Sequence, residues 1–517
     1  MEHRQAALTP QSIWSEYEQG VRYKQYIGLY ETVEKNENFF IGKQWEGVDA
    51  PDLDKPVFNI LRRICNMFIA SIVSDDITAT VQPFVYTPEA ELTCRAAERE
   101  IERAIEYAGA KSKNREMLKN ACVDGDGCFY LYFNDSAPTG QAARGRIDID
   151  VVDNTDIVFA NAQSPDVQRQ RYVLILTRRH VDSVRQMARS YGLSEREISE
   201  IRPDSETLLI NEPDDAENVS VLLRLYKQDG HVYASLSTPD LFLKRPFDTG
   251  LTRYPIAYMN WERVKNSYHG QAAVTELIPN QIFVNKCYAM GMDYVKKLAF
   301  PKLIYDADRF PNGFSNRIGE AVEVEGGVDG AILSAFQMPE MGSQVMELVE
   351  KTMQYTKEYM GASDATLGNI RPDNASAIVA VQKASNAPLE LVKLAFYQFV
   401  EDTVRSMLDI MAASYGVRTV SVEQNGQHEN VVFDFSVLRD MALNLQVNVG
   451  ASAYWSEIMQ VQTADNLFEK GVITDPEVYL STIPDAYVKN KQRIVESIRQ
   501  MRDTAAAPAS TGELPPV

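Results

Sequence analysis

The stretch SQVMELVEKTMQYTKEYMGASDATLGNIRPDN, Ser343 to Asn374, decides how the chain reads. Its first part is helix-periodic: Val345, Leu348, Val349, Thr352, Thr356 and Tyr359 recur at the spacing of one helical face. Met346, Met353 and Met360 repeat every seven residues along an adjacent stripe, as fillers of a helix interface do. Gly361 ends the run, and Ala362–Asn374 carries the turn formers Gly368 and Pro372. A second helical pattern runs from Ala375 to about Tyr415. Pro388 lies inside it, and its missing donor and ring clash predict a kink. The order is helix, polar loop, long interrupted helix.

Upstream, Gln271–Phe300 is the longest uninterrupted helical pattern. Val274, Leu277, Ile278, Ile282 and Ala289 mark one face, and Val284, Cys287, Tyr288, Val295 and Leu298 another. A helix apolar on two faces is either buried or packed between two neighbours. Between it and Ser343 lies Lys302–Met341, Gly-rich and β-like, with Glu325-Gly326-Gly327 reading as a turn between strands. The two helices predict a stalk with a small β module at its tip.

The totals fit this reading. A chain of 517 residues, 45% apolar and 24% charged, is globular and has room for a sizeable core. A formal charge of −20 argues against a nucleic acid held tightly by displaced counterions; it does not exclude a polyanion that must slide past without adhering, and by itself an acidic balance reads first as solubility. Cys65, Cys94, Cys122, Cys128 and Cys287 are scattered without a CxxC, which predicts reduced thiols in a cytoplasmic setting. No secretion signal and no run of ~18 apolar residues is present, so no membrane span is expected.

The rest of the chain reads as mixed α+β. Thr9-Pro10 opens a helix running to about Phe40, and Asn59 caps a second carrying Ile60, Ile64, Met67, Phe68 and Ile72. Ile77–Phe84 alternates as a strand, and Glu89–Cys122 is a charged helix with Glu98, Glu100, Glu102 and Arg103 on solvent faces. Strands follow at Cys128–Phe133, Arg146–Val152, Tyr172–Thr177, Val219–Tyr226 and Val232–Leu236, with a helix at Val181–Tyr191. After Gly416 come strands Thr419–Val422, Val431–Phe435 and Ala442–Val449, the first two joined by a GQHEN turn. Helices are expected at Tyr454–Lys470, stopped by Gly471, from Asp475-Pro476, and at Asp485–Met501. Thr504–Val517 has the Pro/Ala/Ser composition of a disordered tail. The predicted class is α+β, mostly helical.

Motifs for chemistry fail one by one. Gly42-Lys43 is no P-loop, because the glycine required five residues earlier is Glu37. Val123–Gly127 (VDGDG) imitates a calcium loop, but Cys122 and Phe133 occupy its first and last ligand positions, so it reads as a helix-to-strand turn. Asp153, Asp156, Glu212, Asp214, Asp215 and Glu217 read as solvated loop acids. His3, His180, His231, His269 and His428 are each isolated. No catalytic residue, metal or cofactor is predicted. Lys296 and Lys297 complement the negative end of their helix or, in the functional reading, form a basic ring touching phosphates. Arg371, between Ile370 and Pro372, is the loop's exposed charge, with Asp364 or Asp373 as a surface partner.

The order of parts resembles the portal proteins of tailed bacteriophages, the head-to-tail connectors. The resemblance is carried by NENFFIGKQWEGVDAPDLDKPVFNILRRICNMFIASIVSDDITATVQPF (Asn36–Phe84), ACVDGDGCFYLYF (Ala121–Phe133), GQAAVTELIPNQIFVNKCYAMGMDYVKK (Gly270–Lys297), GNIRPDNASAIVAVQKASNAPLELV (Gly368–Val392) and NLFEKGVIT (Asn466–Thr474). It implies a wing over residues 1–269, stem helices over 270–300 and 343–361, and a clip over 301–342. A channel loop would occupy 362–374, a kinked helix and returning wing strands 375–452, crown helices 453–503, and a tail 504–517. It further implies a non-enzymatic ring, expected to be a homododecamer, at one capsid vertex of the virion, assembled in host cytoplasm. Double-stranded DNA would pass through it during packaging and ejection. Its partners would be the terminase large subunit, head-completion or adaptor proteins, and the major capsid and scaffolding proteins. Asn369, Arg371, Asp373, Asn374, Lys296 and Lys297 would face the channel. The alternatives are another ring-forming head-tail adaptor, or a metal-dependent hydrolase using the acidic loops around Asp124 and Asp126.

Overall fold

The computed structural model of the chain describes residues 8–73, 77–204, 217–299, 303–305, 333–335, 343–359, 389–424, 427–441, 443–449 and 454–483, and a few positions between 488 and 498. The Thr9 hydroxyl accepts from Ser12 N, Ser12 returns a bond to the Thr9 backbone, and Pro10 opens α1 (Pro10–Tyr26). The helix expected to reach Phe40 is in fact two, because Gly28 at φ +67° turns the chain before α2 (Leu29–Ile41). Asn59 caps α3 (Ile60–Ile72) as expected, and β1 (Ile77–Pro83) follows. The pattern at Glu89–Cys122 likewise divides, at Gly109 with φ +63°, into α4 (Pro88–Tyr107) and α5 (Ala110–Asp124). Apolar spacing survives a one-residue break, so neither break shows in periodicity alone.

Glu98 and Glu100 correct the solvent-face reading of α4. Glu98 Oε1 accepts from Val81 N at 2.6 Å, and Glu100 is buried against Arg103, while Glu102 stays outside with Arg99.

β2 (Asp126–Asn134) is the middle strand of an antiparallel sheet, between β3 (Arg146–Val151) and β9 (Ile256–Asn260). A second antiparallel sheet takes β4 (Ile157–Phe159), β5 (Tyr172–His180), β6 (Asn218–Gln228), β7 (His231–Ser237) and β8 (Phe242–Leu251) in chain order. β8 went unread because Lys244, Arg245 and Pro246 interrupt its apolar pattern; as an edge strand it tolerates them. α6 (Val181–Ser190) and α7 (Glu195–Glu200) cover one end of this sheet through Val184, Ala188 and Ile198 against Val219, Val221 and Leu243. α1 lays Ile13, Tyr17 and Val21 on Val158, Leu174 and Leu222.

α8 (Ala273–Ala299) is continuous but holds Pro279, which the uninterrupted reading passed over. It is followed by β10 (Leu303–Tyr305), β11 (Leu333–Ala335), α9 (Ser343–Tyr359) and α10 (Glu390–Ser414). α10 buries Phe396, Phe399, Val404, Met407 and Met411, and Phe399 meets Phe129 of β2 edge-on at 4.8 Å. β12 (Val417–Gln424) and β13 (Gln427–Asp434) pair down to Gln424 opposite Gln427. Gln427–Asn430 therefore belong to the strand; their polarity made them read as part of the turn. β14 (Leu443–Val449) pairs with β1.

Two compact units result, residues 1–73 with 79–446 and residues 74–78 with 447–517. In the second, α11 (Tyr454–Glu469) stops at Gly471, φ +69°, and α12 (Pro476–Thr482) returns to set Tyr479 on Phe468 at 4.5 Å. The expected helix 485–501 falls largely, and the tail 504–517 wholly, outside the described residues. The fold is mixed α+β, with helices holding about half of the described residues. All five cysteines are buried, and none is in a disulfide. Among the described residues no helix is long and apolar enough to cross a membrane.

Candidate functional site

α8 and α9 pack antiparallel. Asn280 Nδ2 donates to Thr356 Oγ1 at 3.1 Å, and further along Val284 and Cys287 bury against Val349 and Met353, so numbers rise on one helix as they fall on the other. Of the face expected on α9, Val349 and Thr356 are buried, but Leu348 is 53% exposed. Within the methionine stripe Met353 fills the contact, Met346 is exposed, and Met360 lies outside the described residues. Between the helices β10 pairs antiparallel with β11, Ile304 opposite Ser334. The turn at Glu325–Gly327 lies outside the described residues.

A polar seam fixes α8 to the helices before it. Gln281 Oε1 accepts from Ile60 N and Leu61 N, at 3.1 and 3.3 Å, so α8 supplies part of the N-terminal cap of α3. Its Nε2 donates to Phe58 O and Asn285 Oδ1, and Asn285 Nδ2 donates to Gln44 Oε1 at 2.7 Å. Gln44 Nε2 closes the chain on Phe39 O, and Trp45 Nε1 reaches Pro56 O at 2.8 Å. The Gly-Lys-Gln-Trp turn is thus a socket for α8. Most buried polar groups in folded proteins are paired in this way.

The root of α8 is a second node. Asp126, a residue 2% exposed, opens β2, and its carboxylate accepts from Asn260 Nδ2 (2.7 Å), Gly270 N (2.7 Å), His269 Nδ1 (2.7 Å) and Asn154 Nδ2 (3.3 Å). These four donors use the carboxylate's accepting capacity. Gly125, the helix-to-strand turn expected of VDGDG, holds φ +100° and crosses Gly270 so closely that an added Cβ would stand 2.6 Å from Gly270 O. Lys24 of α1 is fully buried nearby and donates to Thr155 O at 2.7 Å.

Burial dominates the protonation of these groups. It pushes Lys24 down to about 7 against the pull of Asp156 and Asp126, and pushes Asp156 up to about 7. It also lowers the His269 imidazole, although Asp126 opposes this, and lifts Asp124 to about 8 with help from Glu37 and Asp153. Asp156 is therefore not the solvated loop acid expected from its neighbours, and His269 is not isolated. Nothing in the sequence links Asp126 to His269, 143 residues apart, until the strands pair. Among the described residues no three His, Cys, Asp or Glu side chains converge in a way that could hold a metal ion.

Of the six residues expected to face a channel, Asn369, Arg371, Asp373 and Asn374 lie outside the described residues, as does Pro388. Lys296 is exposed near the end of α8 and pairs with Asp54 at 2.5 Å, so its charge is already partnered. Lys297 lies in α8, and only its backbone is described. The helix pair also exposes large apolar side chains. Phe283 and Met290 are exposed seven residues apart on α8, Leu348 and Tyr355 seven apart on α9, and Val295 is 59% exposed beyond the socket. In a lone chain such surfaces stay in contact with water at a free-energy cost.

Comparison with known proteins adds three findings. The sequence profile of the phage P22-like portal protein family matches residues 28–511. Among solved structures, one described as "Virion of native gene transfer agent (GTA) particle" is similar over 88% of this chain and 94% of that one. The identity there is 9% and the TM-score 0.42, a likeness that carries no argument by itself. No curated protein matches the chain.

Proposed function

The chain belongs to the phage P22-like portal protein family, and on that premise we propose that it forms the portal ring at one vertex of a tailed-phage capsid. Copies close by rotation, each giving one surface and receiving another, in a dodecamer. The observation that carries the ring is the α8–α9 pair with its uncovered apolar flanks. Phe283 and Met290 on one helix, and Leu348 and Tyr355 on the other, present two seven-spaced rows. Rows of that spacing mesh with a neighbouring helix pair.

In this reading α8 and α9 are the stem, the segment from 301 to 342 with the β10–β11 pair is the clip, and the 362–374 loop lies toward the channel. Packaged double-stranded DNA passes along the axis. The clip docks the terminase large subunit and later the head-completion proteins, and the wing faces the capsid and scaffold. The charge of −20 favours passage over adhesion. Asn369, Arg371, Asp373 and Asn374 would touch the duplex, whereas Lys296, bound to Asp54, would do so only by leaving that partner.

Negative-stain images of the purified full chain test the ring. Annular particles with a central hole are expected. Monomers that stay monomeric when mixed with capsid and scaffolding proteins would overturn it. Replacing residues 368–374 by a Gly/Ser linker tests the loop: rings should still form, but DNA filling or retention should fall.

A further inference from the structure

We propose that the buried cluster of Asp126, His269, Lys24 and Asp156 is a proton-sensitive latch on the root of α8, closed while His269 carries one ring proton and opened when a second arrives. The latch concerns how α8 is attached within this chain, so it stands whether or not the chain closes into a ring.

The geometry comes first. His269 and Gly270 sit just before α8; both bond the Asp126 carboxylate of β2, and Gly270 crosses Gly125, the residue before that strand. At 2.7 Å from Asp126 Oδ2, His269 Nδ1 is the donor, which leaves Nε2 without its hydrogen. That Nε2 is buried and has no hydrogen-bond partner among the described residues. The ring packs on Tyr268 at 3.9 Å, with Tyr23 of α1 at 6.5 Å from it and 5.9 Å from Tyr268, and the residue is buried, so a second proton cannot be hydrated unless the loop moves. A second proton would therefore enter at an atom with no acceptor.

The charged neighbours make acid worse for the closed state. Lys24 faces the ring from α1, and it gains its full charge as pH falls through about 7. Asp156, on the β4 side, is the carboxylate that could balance it, and it loses its charge over the same range. Asp126, from β2, has its oxygens already engaged by their donors. Tyr258, Tyr268 and Tyr30 face the cluster from β9, the loop and α2, and burial holds their hydroxyls protonated. The closed state disfavours doubly protonated His269; a loop swung into water accepts that proton at the ordinary imidazole pKa. By linkage, the opening equilibrium of residues 261–272 grows as pH falls below about 6.5, by roughly tenfold per unit until the closed-state pKa is reached.

Hydrogen exchange of the full chain tests this. The amides of Trp261, bonded to Gly125 O, of Gly270, bonded to Asp126, and of Gln271, bonded to Glu262 O, report the latch. After correction for the intrinsic rate, their exchange should rise about tenfold between pH 7.5 and 5.5, while amides of β6 do not change. His269→Asn keeps a donor near the Nδ1 position but cannot gain a proton, and it should flatten the response. No rise in the wild type, or the same rise in H269N, would overturn the latch. Should H269N fail to fold, the ring nitrogen shifts of wild-type His269 decide: titration near pH 6.5 with the loop still protected would also overturn it.

Discussion

Gln281 of α8 accepts from the backbone N–H of Ile60 at 3.1 Å, so one helix completes the cap of another. Four polar groups meet this amide: Ile60 N, Leu61 N, Phe58 O and Asn285 Oδ1. Ile60 N and Phe58 O also bond each other at 2.8 Å, so Gln281→Ala chiefly strands Leu61 N and Asn285 Oδ1. It should cost about 2–3 kcal/mol, since each unsatisfied buried group costs roughly 1–3 kcal/mol and some regain water. Gln281→Glu restores the acceptor but not the donor and should recover less than half at pH 7. Urea unfolding of the two variants checks both outcomes, and equal stability of Ala and wild type would remove the cap from the account.

Gly125→Ala should be worse than its size suggests. The residue sits at φ +100°, and its Cβ would meet the Gly270 carbonyl oxygen at 2.6 Å, which is backbone and cannot swing aside. Strain at positive φ and the displaced crossing together predict a loss of about 3 kcal/mol or more. Gly47→Ala is the control: it also holds positive φ, 75°, but its added Cβ meets nothing within 4 Å. The gap in melting temperature between the two variants isolates the close approach from the backbone strain.

These two sites show what the sequence could and could not reveal. Asn59 as a cap, Gly471 as a stop and the helix-to-strand turn at Gly125 were legible because each acts on its own neighbours. The pairing of α8 with α9 follows from two apolar helices flanking a short β segment, and the contact of Val284 with Val349 realises it. Gln44, Gln281 and Asn285 were not legible, because a polar residue in a turn or on a helix reads as solvent-facing until its distant partner is in place. The same is true of Glu100 on α4 and of His269. Composition made α8 look apolar on two sides, but the side toward α3 is held by amides as much as by carbon.

Asp124→Asn should stabilise the fold in alkaline solution. The carboxyl is raised to about 8, first by burial and then by Glu37 and Asp153, and its Oδ1 finds no hydrogen-bond partner among the described residues. A folded-state pKa above the unfolded value means the native state holds a proton that the unfolded chain has released. Folding therefore weakens as pH rises from about 4 to about 8, and levels off above that. The amide has no such slope. The variant should match wild type near pH 4 and exceed it by about 1–2 kcal/mol at pH 8, a figure kept well under the full linkage value because the side chain is only partly buried. Denaturation curves at pH 4, 6 and 8 read the slope; a gain that does not grow with pH would show that Asp124 is charged and comfortable.

Tyr355→Glu with Met290→Glu separates assembly from folding. Both residues are exposed, Tyr355 at 62% and Met290 at 58%, and neither belongs to the buried contact of Val284, Cys287 and Val349. Charge placed there should leave the circular dichroism spectrum and melting temperature of the isolated chain within the small range typical of surface substitutions, about 0.5 kcal/mol. If copies mesh along these rows, each interface gains buried like charge and loses apolar burial worth roughly 1.5–3 kcal/mol per side chain. Because a closed ring repeats its interface at every subunit, that penalty multiplies, and annular particles should disappear while monomer remains. Lys296→Ala is the contrasting change: it breaks only the surface pair with Asp54, and ring yield should persist. Rings that survive the double glutamate variant but vanish with Lys296→Ala would reverse the assignment and make the contact electrostatic.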